Sequence, residues 1–285
     1  MIPVLLTRIK TRDGIFLEGI AVLPRKNSKT AVIWIHGLSS RFSSGQHAIK
    51  EISSACSRAG IGYFKFNTRG HDIASRSGTH TIGGGFEKFD ECVHDIRAMI
   101  RYARMFGFTN IILAGHSTGA NKALYYAATA KDRFVKGLML LGAISDIVAF
   151  RKEMGTRKFT AACRMAGTLR KNPHALMPIK YGLFSAKRFW SLCHSGEKED
   201  TFPYYDETRT WNALESVHIP VTLIIGSRDQ YLDRTPAQYI AVFERHAVLT
   251  KHLRSIIIKG ANHGFHRREK ELADEMIKFI SVVPA

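Results

Sequence analysis

The chain has 285 residues, 45% of them apolar, and 42 Lys and Arg against 24 Asp and Glu, a net charge of +18. That apolar share supports a substantial buried core and excludes a wholly disordered chain. No apolar run approaches the roughly 18–20 residues of a bilayer-spanning helix, and no signal-peptide hydrophobic stretch develops before Arg8, Lys10, Arg12 and Asp13. The four cysteines (Cys56, Cys92, Cys163, Cys193) contain no Cys-x-x-Cys pair, which argues against a zinc knuckle or a disulfide scaffold and for a reduced, cytoplasmic setting. A nucleic-acid or anionic-membrane binder is the alternative class raised by the basic charge. No block of five or six Lys/Arg appears, however, and the densest patch is His266–Lys270, so the charge reads as a solvated surface.

In chain order, Val4–Lys10 and Phe16–Leu23 alternate apolar and polar residues around Asp13-Gly14, a turn signal for a hairpin. Lys29–Ile35 is a continuous apolar run, as in a strand covered on both faces. Ser43–Arg58 reads as a helix, Ile61–Asn67 as a strand, and Phe86–Phe106 as a helix through Phe89, Val93, Ile96, Ile100 and Ala103. The strand Ile111–Ala114, the helix Thr118–Ala130 and the strand Val135–Leu141 follow. After an interruption come the strand Pro220–Gly226, a helix over Thr235–Ala247, the strand Arg254–Lys259 and a last helix over Lys270–Ile280. This alternation predicts an α/β, doubly wound, mostly parallel sheet, with ligands beyond the carboxyl ends of its strands. The interruption, residues 147–205, shows only helical pieces such as Phe159–Leu169 and Phe184–Cys193, and carries +7 of the net charge. It reads as a helical cap inserted between core parts 1–146 and 206–285, with Phe184, Arg188, Phe189 and Trp190 as candidates to line a substrate pocket.

Gly115-His116-Ser117-Thr118-Gly119 joins a strand directly to a helix, the context that a Gly-x-Ser-x-Gly nucleophile elbow requires. The tight turn demands glycine at 115 and 119 and holds the Ser117 hydroxyl at the positive end of a helix dipole. A serine needs a base, and His263, just after the last strand, is placed to be it. Asp229, after the strand ending at Gly226, is the favoured third member, with Asp146 and Asp233 as rivals. The order Ser117, Asp229, His263 is the one used with this elbow. Two oxyanion donors are expected, the backbone N–H groups of Thr118 and of Leu38 in the His36-Gly37-Leu38 turn.

These motifs, together with Asn67-Thr68-Arg69-Gly70-His71 and Asn262-His263-Gly264, resemble the α/β-hydrolase family over most of the chain. The resemblance implies an eight-stranded sheet, a Ser-His-Asp triad and no cofactor or metal. Trp34–Leu38, the elbow and Ser145-Asp146 are similar to the branch that includes fungal siderophore-ester hydrolases. Asp72 departs from relatives, in which a second glycine is more usual, and Ser117 argues against the branches with an aspartate nucleophile. The expected function is a carboxylesterase-like serine hydrolase acting on a small-molecule ester, anionic by the cap's charge, with a homodimer as the candidate assembly and without nucleic acid. Thioesterase, amidase and C–C hydrolase chemistries share the same triad.

Overall fold

In a computed structural model, residues 3–25 and 28–284 are described. The amino-terminal hairpin forms β1 (Leu5–Lys10) and β2 (Phe16–Val22), antiparallel and turned at Gly14, whose φ of 95° lies in the region that favours glycine. β3 (Thr30–Ile35), α1 (Gln46–Arg58) and β4 (Gly62–Phe66) follow. A small hairpin, β5 (Ser75–Ser77) with β6 (His80–Ile82), precedes α2 (Cys92–Met105). β7 (Asn110–His116), α3 (Thr118–Ala130) and β8 (Val135–Leu141) form the central βαβ unit. The interruption holds α4 (Asp146–Met154), α5 (Thr156–Leu169) and α6 (Ala186–Cys193). After the single turn α7 (Asn212–Glu215), the chain closes with β9 (Val221–Gly226), α8 (Pro236–His246), β10 (Leu253–Ile258) and α9 (Glu269–Ile280).

Eight strands make one sheet in the order β1-β2-β4-β3-β7-β8-β9-β10, parallel from β4 to β10. The central strands are buried on both faces, and their side chains alternate between two cores. In β3, Ala31, Ile33 and Ile35 pack with α2, α3 and α8, whereas Val32 and Trp34 pack with α1 and α9. β7 repeats the division with Ile111 and Leu113 on one side and Ile112 and Ala114 on the other. This two-sided burial explains why these strands read as unbroken apolar runs. Residues 147–205 build a separate apolar cluster around Phe159, Ala162, Ala166, Phe184 and Phe189. Among the described residues no helix is long and apolar enough to cross a membrane.

The expected elements are present with shifted ends. The first helix begins at Gln46 rather than Ser43, because Gly45 takes a left-handed conformation ahead of it. The helix expected from Phe86 begins at Cys92 after a 3-10 turn at Phe89–Glu91; residues 83–88 instead form a glycine-led loop bonded to Arg69, Asp72 and Ile73 carbonyls. The β5–β6 hairpin gave no sequence signal: it is six residues of mostly polar character, with Ile82 its one buried apolar side chain.

One buried ion cluster fastens the hairpin to the sheet. Arg69, 3% exposed, bonds Asp95 on α2 through its backbone N–H and its guanidinium, and also reaches Asp13 and Glu91. Burial pushes the Asp95 carboxyl up and Arg69 opposes it. Removing one partner of such a pair leaves an uncompensated buried charge. Arg69→Met should therefore destabilise the protein by about 3–5 kcal/mol in urea unfolding; an unchanged midpoint would show that Asp95 is not held as an ion.

Candidate active site

The strand order places a crevice at the carboxyl ends of β3 and β7. From β3 the chain moves outward to β4 and then returns past β3 to β7, and such reversals are where open α/β sheets bind ligands. Ser117 stands there, between β7 and α3, at φ 57° and ψ −130°. A non-glycine residue at positive φ is strained and must be held by its surroundings. The holding contacts are backbone. A Cβ at Gly115 would lie 2.2 Å from the Gly119 carbonyl oxygen, and one at Gly119 would lie 2.2 Å from that of Ile35. Both glycines are thus required by the approach of β7 and α3 to each other and to β3.

The same approach brings in the expected oxyanion turn. A Cβ at Gly37 would lie 2.9 Å from Ser117 Cβ and 3.4 Å from its Oγ, so the Gly37-Leu38 backbone lies against the serine. His36 fixes this turn: its Nε2 accepts from the Thr68 N–H at 2.9 Å, so its Nδ1 carries the proton and donates to the Gly37 carbonyl at 2.9 Å. Burial, with Lys122 nearby, pushes the imidazole down to about 3, which keeps this tautomer neutral. The Thr118 N–H opens α3 and so belongs to the donors that a helix leaves unpaired at its amino end.

His263 lies in the loop between β10 and α9, and four neighbours hold it. Its Nδ1 is 2.8 Å from Asp229 Oδ2. Its backbone N–H donates to Gln230 Oε1 at 3.2 Å, and its carbonyl accepts from His116 Nε2 at 2.8 Å. Tyr231 meets the ring edge to face, with centroids 4.7 Å apart. Gly142, at φ 55°, leaves room: a Cβ there would sit 3.2 Å from the imidazole. Because a carboxylate only accepts, Nδ1 carries the proton and Nε2 is left with its lone pair, buried and without a hydrogen-bond partner. Asp229 is oriented in turn, its Oδ1 accepting from the Tyr231 N–H at 3.0 Å.

Neither rival acid reaches His263 by a hydrogen bond. Asp233 pairs with its neighbour Arg234 at 2.8 Å. It does not cap α8 either, since Thr235 does so in a reciprocal box with Gln238. Asp146 is buried near Glu199, Arg188, Lys122 and Asp200, with Oδ2 unpartnered. Burial, reinforced by Glu199, pushes its carboxyl well above the ordinary range. The four cap residues expected to line a pocket are engaged in other ways. Phe184 and Phe189 are buried in the apolar cluster of residues 147–205, edge to face with each other and with Phe150. Trp190 stacks on His194 and donates to Glu197. Arg188, 1% exposed, is satisfied by Glu199, Glu87 and the Gly84 carbonyl.

Sequence reasoning missed His116 and His36 as supports, and also the buried group of Glu87, Lys122, Arg188 and Glu199. His116 and His36 flank the two motif turns, which is the only signal they offered. The buried ions offered none, because their charges are ordinary in sequence.

The strand order, an eight-stranded and mostly parallel sheet with helices on both faces, is that of the α/β-hydrolase fold. The chain belongs to the family described as "Protein of unknown function (DUF1749)", whose model matches residues 2–283. No curated protein sequence matches the chain. Solved structures share its fold at low identity. The siderophore hydrolase EstB from Aspergillus fumigatus is 14% identical, with a TM-score of 0.74 over 99% of this chain and 97% of that one. The Pyrococcus furiosus esterase Pf2001 is 16% identical, with a TM-score of 0.68 over 100% and 92%. Est1E from Butyrivibrio proteoclasticus, with ferulic acid bound, is 19% identical, with a TM-score of 0.66 over 96% and 98%.

The backbone contacts at the elbow have a direct consequence. Gly119→Ala places a methyl group against the Ile35 carbonyl and should cost about 1–3 kcal/mol through overpacking. Thermal unfolding measures this; an unchanged melting temperature would mean that α3 is free to shift away from β3.

Proposed function

We propose that the protein is a serine hydrolase that cleaves a small carboxylic ester through an acyl-enzyme, with Ser117 as nucleophile, His263 as proton carrier and Asp229 as its orienting acid. The observation that carries this reading is a serine at positive φ whose neighbour His116 bonds the loop of His263, an imidazole whose Nδ1 is held 2.8 Å from a carboxylate and whose Nε2 is unengaged.

In the proposed cycle His263 Nε2 takes the Ser117 hydroxyl proton as Oγ bonds to the ester carbonyl carbon. The oxyanion that forms is received by the N–H groups of Leu38 and Thr118, and α3's dipole favours the same charge. His263 then gives the proton to the departing alkoxide, the carbon–oxygen bond breaks, and an acyl-Ser117 ester remains. Water repeats the sequence, losing its proton to His263 and releasing the acid. Asp229 keeps the imidazole in the tautomer needed at each step and stabilises the imidazolium without itself taking a proton. Residues 147–205 act as a cap over this site. The cap's link to the core through Arg188 and Glu87, and through Asn121 to the Glu199 carbonyl, supports that role.

The decisive experiment is incubation with a fluorophosphonate probe, followed by mass spectrometry of the labelled peptide. Label is expected on Ser117 alone, and Ser117→Ala and His263→Ala should each lower turnover of an activated aryl ester by roughly 10⁶ with the fold intact. Label on another serine, or hydrolysis unchanged in Ser117→Ala, would overturn the assignment.

The acid is tested separately. Asp229→Asn should lose around 10⁴ in kcat, because an amide presents the wrong partner to Nδ1. Asp146→Asn should lose far less, since Asp146 makes no hydrogen bond to His263 and its Oδ2 is unpartnered. Equal losses, or the reverse order, would transfer the role to Asp146.

A further inference from the structure

Within the cap the fold brings together two thiols that the proposed reaction does not use. α5 and α6 pack closely enough that a Cβ at Gly167 would lie 2.6 Å from the Trp190 ring. Cys163 stands one turn before Gly167 on α5, and Cys193, the last residue of α6, stands three after Trp190. The helices therefore run antiparallel at this contact, with the two cysteines opposite each other. The Cys163 thiol donates to the Cys193 carbonyl oxygen, with Sγ 3.7 Å from it. Both are free. A disulfide needs Cα atoms roughly 4.4–6.8 Å apart, and the small residue at 167 lets the two helices approach closely.

We propose that Cys163 and Cys193 form a thiol–disulfide exchange site that reacts with low-molecular-weight disulfides and closes to a reversible bridge between α5 and α6. The Cys163 thiolate attacks one sulfur of the small disulfide; a protein–small-molecule bond forms, the original sulfur–sulfur bond breaks, and one thiolate leaves and takes up a proton. Cys193 then loses its proton and attacks Cys163 Sγ, expelling the second thiolate. One small disulfide is reduced to two thiols, and two protein thiols become one disulfide.

The surroundings divide the two roles. Cys163 is partly exposed, and the hydrogen bond with Cys193, helped by Arg151, lowers its thiol below the ordinary value. Cys193 is buried, and its partner's sulfur together with burial pushes its thiol up. An accessible thiolate beside a protected resolving thiol is the arrangement that exchange requires. The other two cysteines are poor competitors. Cys56 and Cys92 are fully buried, and burial pushes both thiols up, Cys56 to about 12.

The test treats the reduced full-length protein with excess oxidised glutathione and reads intact mass and disulfide-mapped peptides. The expected product has lost the mass of two hydrogens, carries a single Cys163–Cys193 link, and reverts with dithiothreitol. Cys193→Ser should stop at a glutathione adduct on Cys163, and Cys163→Ser should react at least about tenfold more slowly. A stable glutathione adduct on the wild-type protein, no reaction, or a link through Cys56 or Cys92 would each overturn the proposal. If either serine variant fails to fold, the wild-type link map decides alone.

Discussion

The site rests on one strained residue and the packing that holds it. Ser117 at φ 57° occupies a conformation that costs of order 1–3 kcal/mol, and it persists because β3, β7 and α3 meet there with no space for side chains. Gly115, Gly119 and Gly37 are all consequences of that approach. So is the nearness of the Gly37-Leu38 backbone to the serine, since a Cβ on Gly37 would touch Ser117. The turn that exposes the hydroxyl and the turn that would receive the oxyanion are thus set by a single geometric constraint, which the fully buried centre of the sheet maintains.

His263 is held differently, through hydrogen bonds from two separate parts of the chain. Asp229 and Gln230 come from the loop after β9 and His116 from the elbow itself, while Gly142 at the end of β8 leaves room for the ring. His116 is the informative member, because it ties the histidine loop to the residue before the serine. Burial, with His263 adjacent, lowers its imidazole to about 4, so at neutral pH its Nε2 carries a single proton and donates it to the His263 carbonyl. The position of His263 is therefore referred to the turn that holds Ser117, through a residue 147 positions away in sequence.

A second buried group ties residues 147–205 to the rest of the chain. Lys122 on α3 and Glu87 are 2.6 Å apart, Glu87 also meets Arg188 of α6 at 3.0 Å, and Arg188 meets Glu199. Two cations face two carboxylates, so the group is balanced within itself. Asp146 is a third carboxyl at its edge, where burial, reinforced by Glu199, pushes it up. Such a group is costly to break once buried, since loss of any member strands a charge in a low dielectric. Arg188 is accordingly a fastener rather than a free positive charge, although its sequence surroundings suggested otherwise.

What the sequence determined by itself was the periodic and the local. Unbroken apolar runs such as Ala31–Ile35 declared doubly covered strands, and Gly-x-Ser-x-Gly between strand and helix declared its turn, because these patterns depend on neighbours a few residues away. The chain order of Ser117, Asp229 and His263 was equally legible, since in a right-handed parallel sheet residues that follow strands collect at one edge. Only the tertiary structure shows which carboxyl meets the imidazole: Asp229 bonds His263 and Asp146 does not. It alone assigned His116, His36 and Glu87, and it withdrew Arg188 and Phe189 to interior duties. It also set Cys163 against Cys193, two residues on different helices with no motif between them. Ion pairs, hydrogen bonds and thiol contacts act over a few ångströms between distant parts of the chain, and only the packing of the sheet, helices and cap makes those distances short.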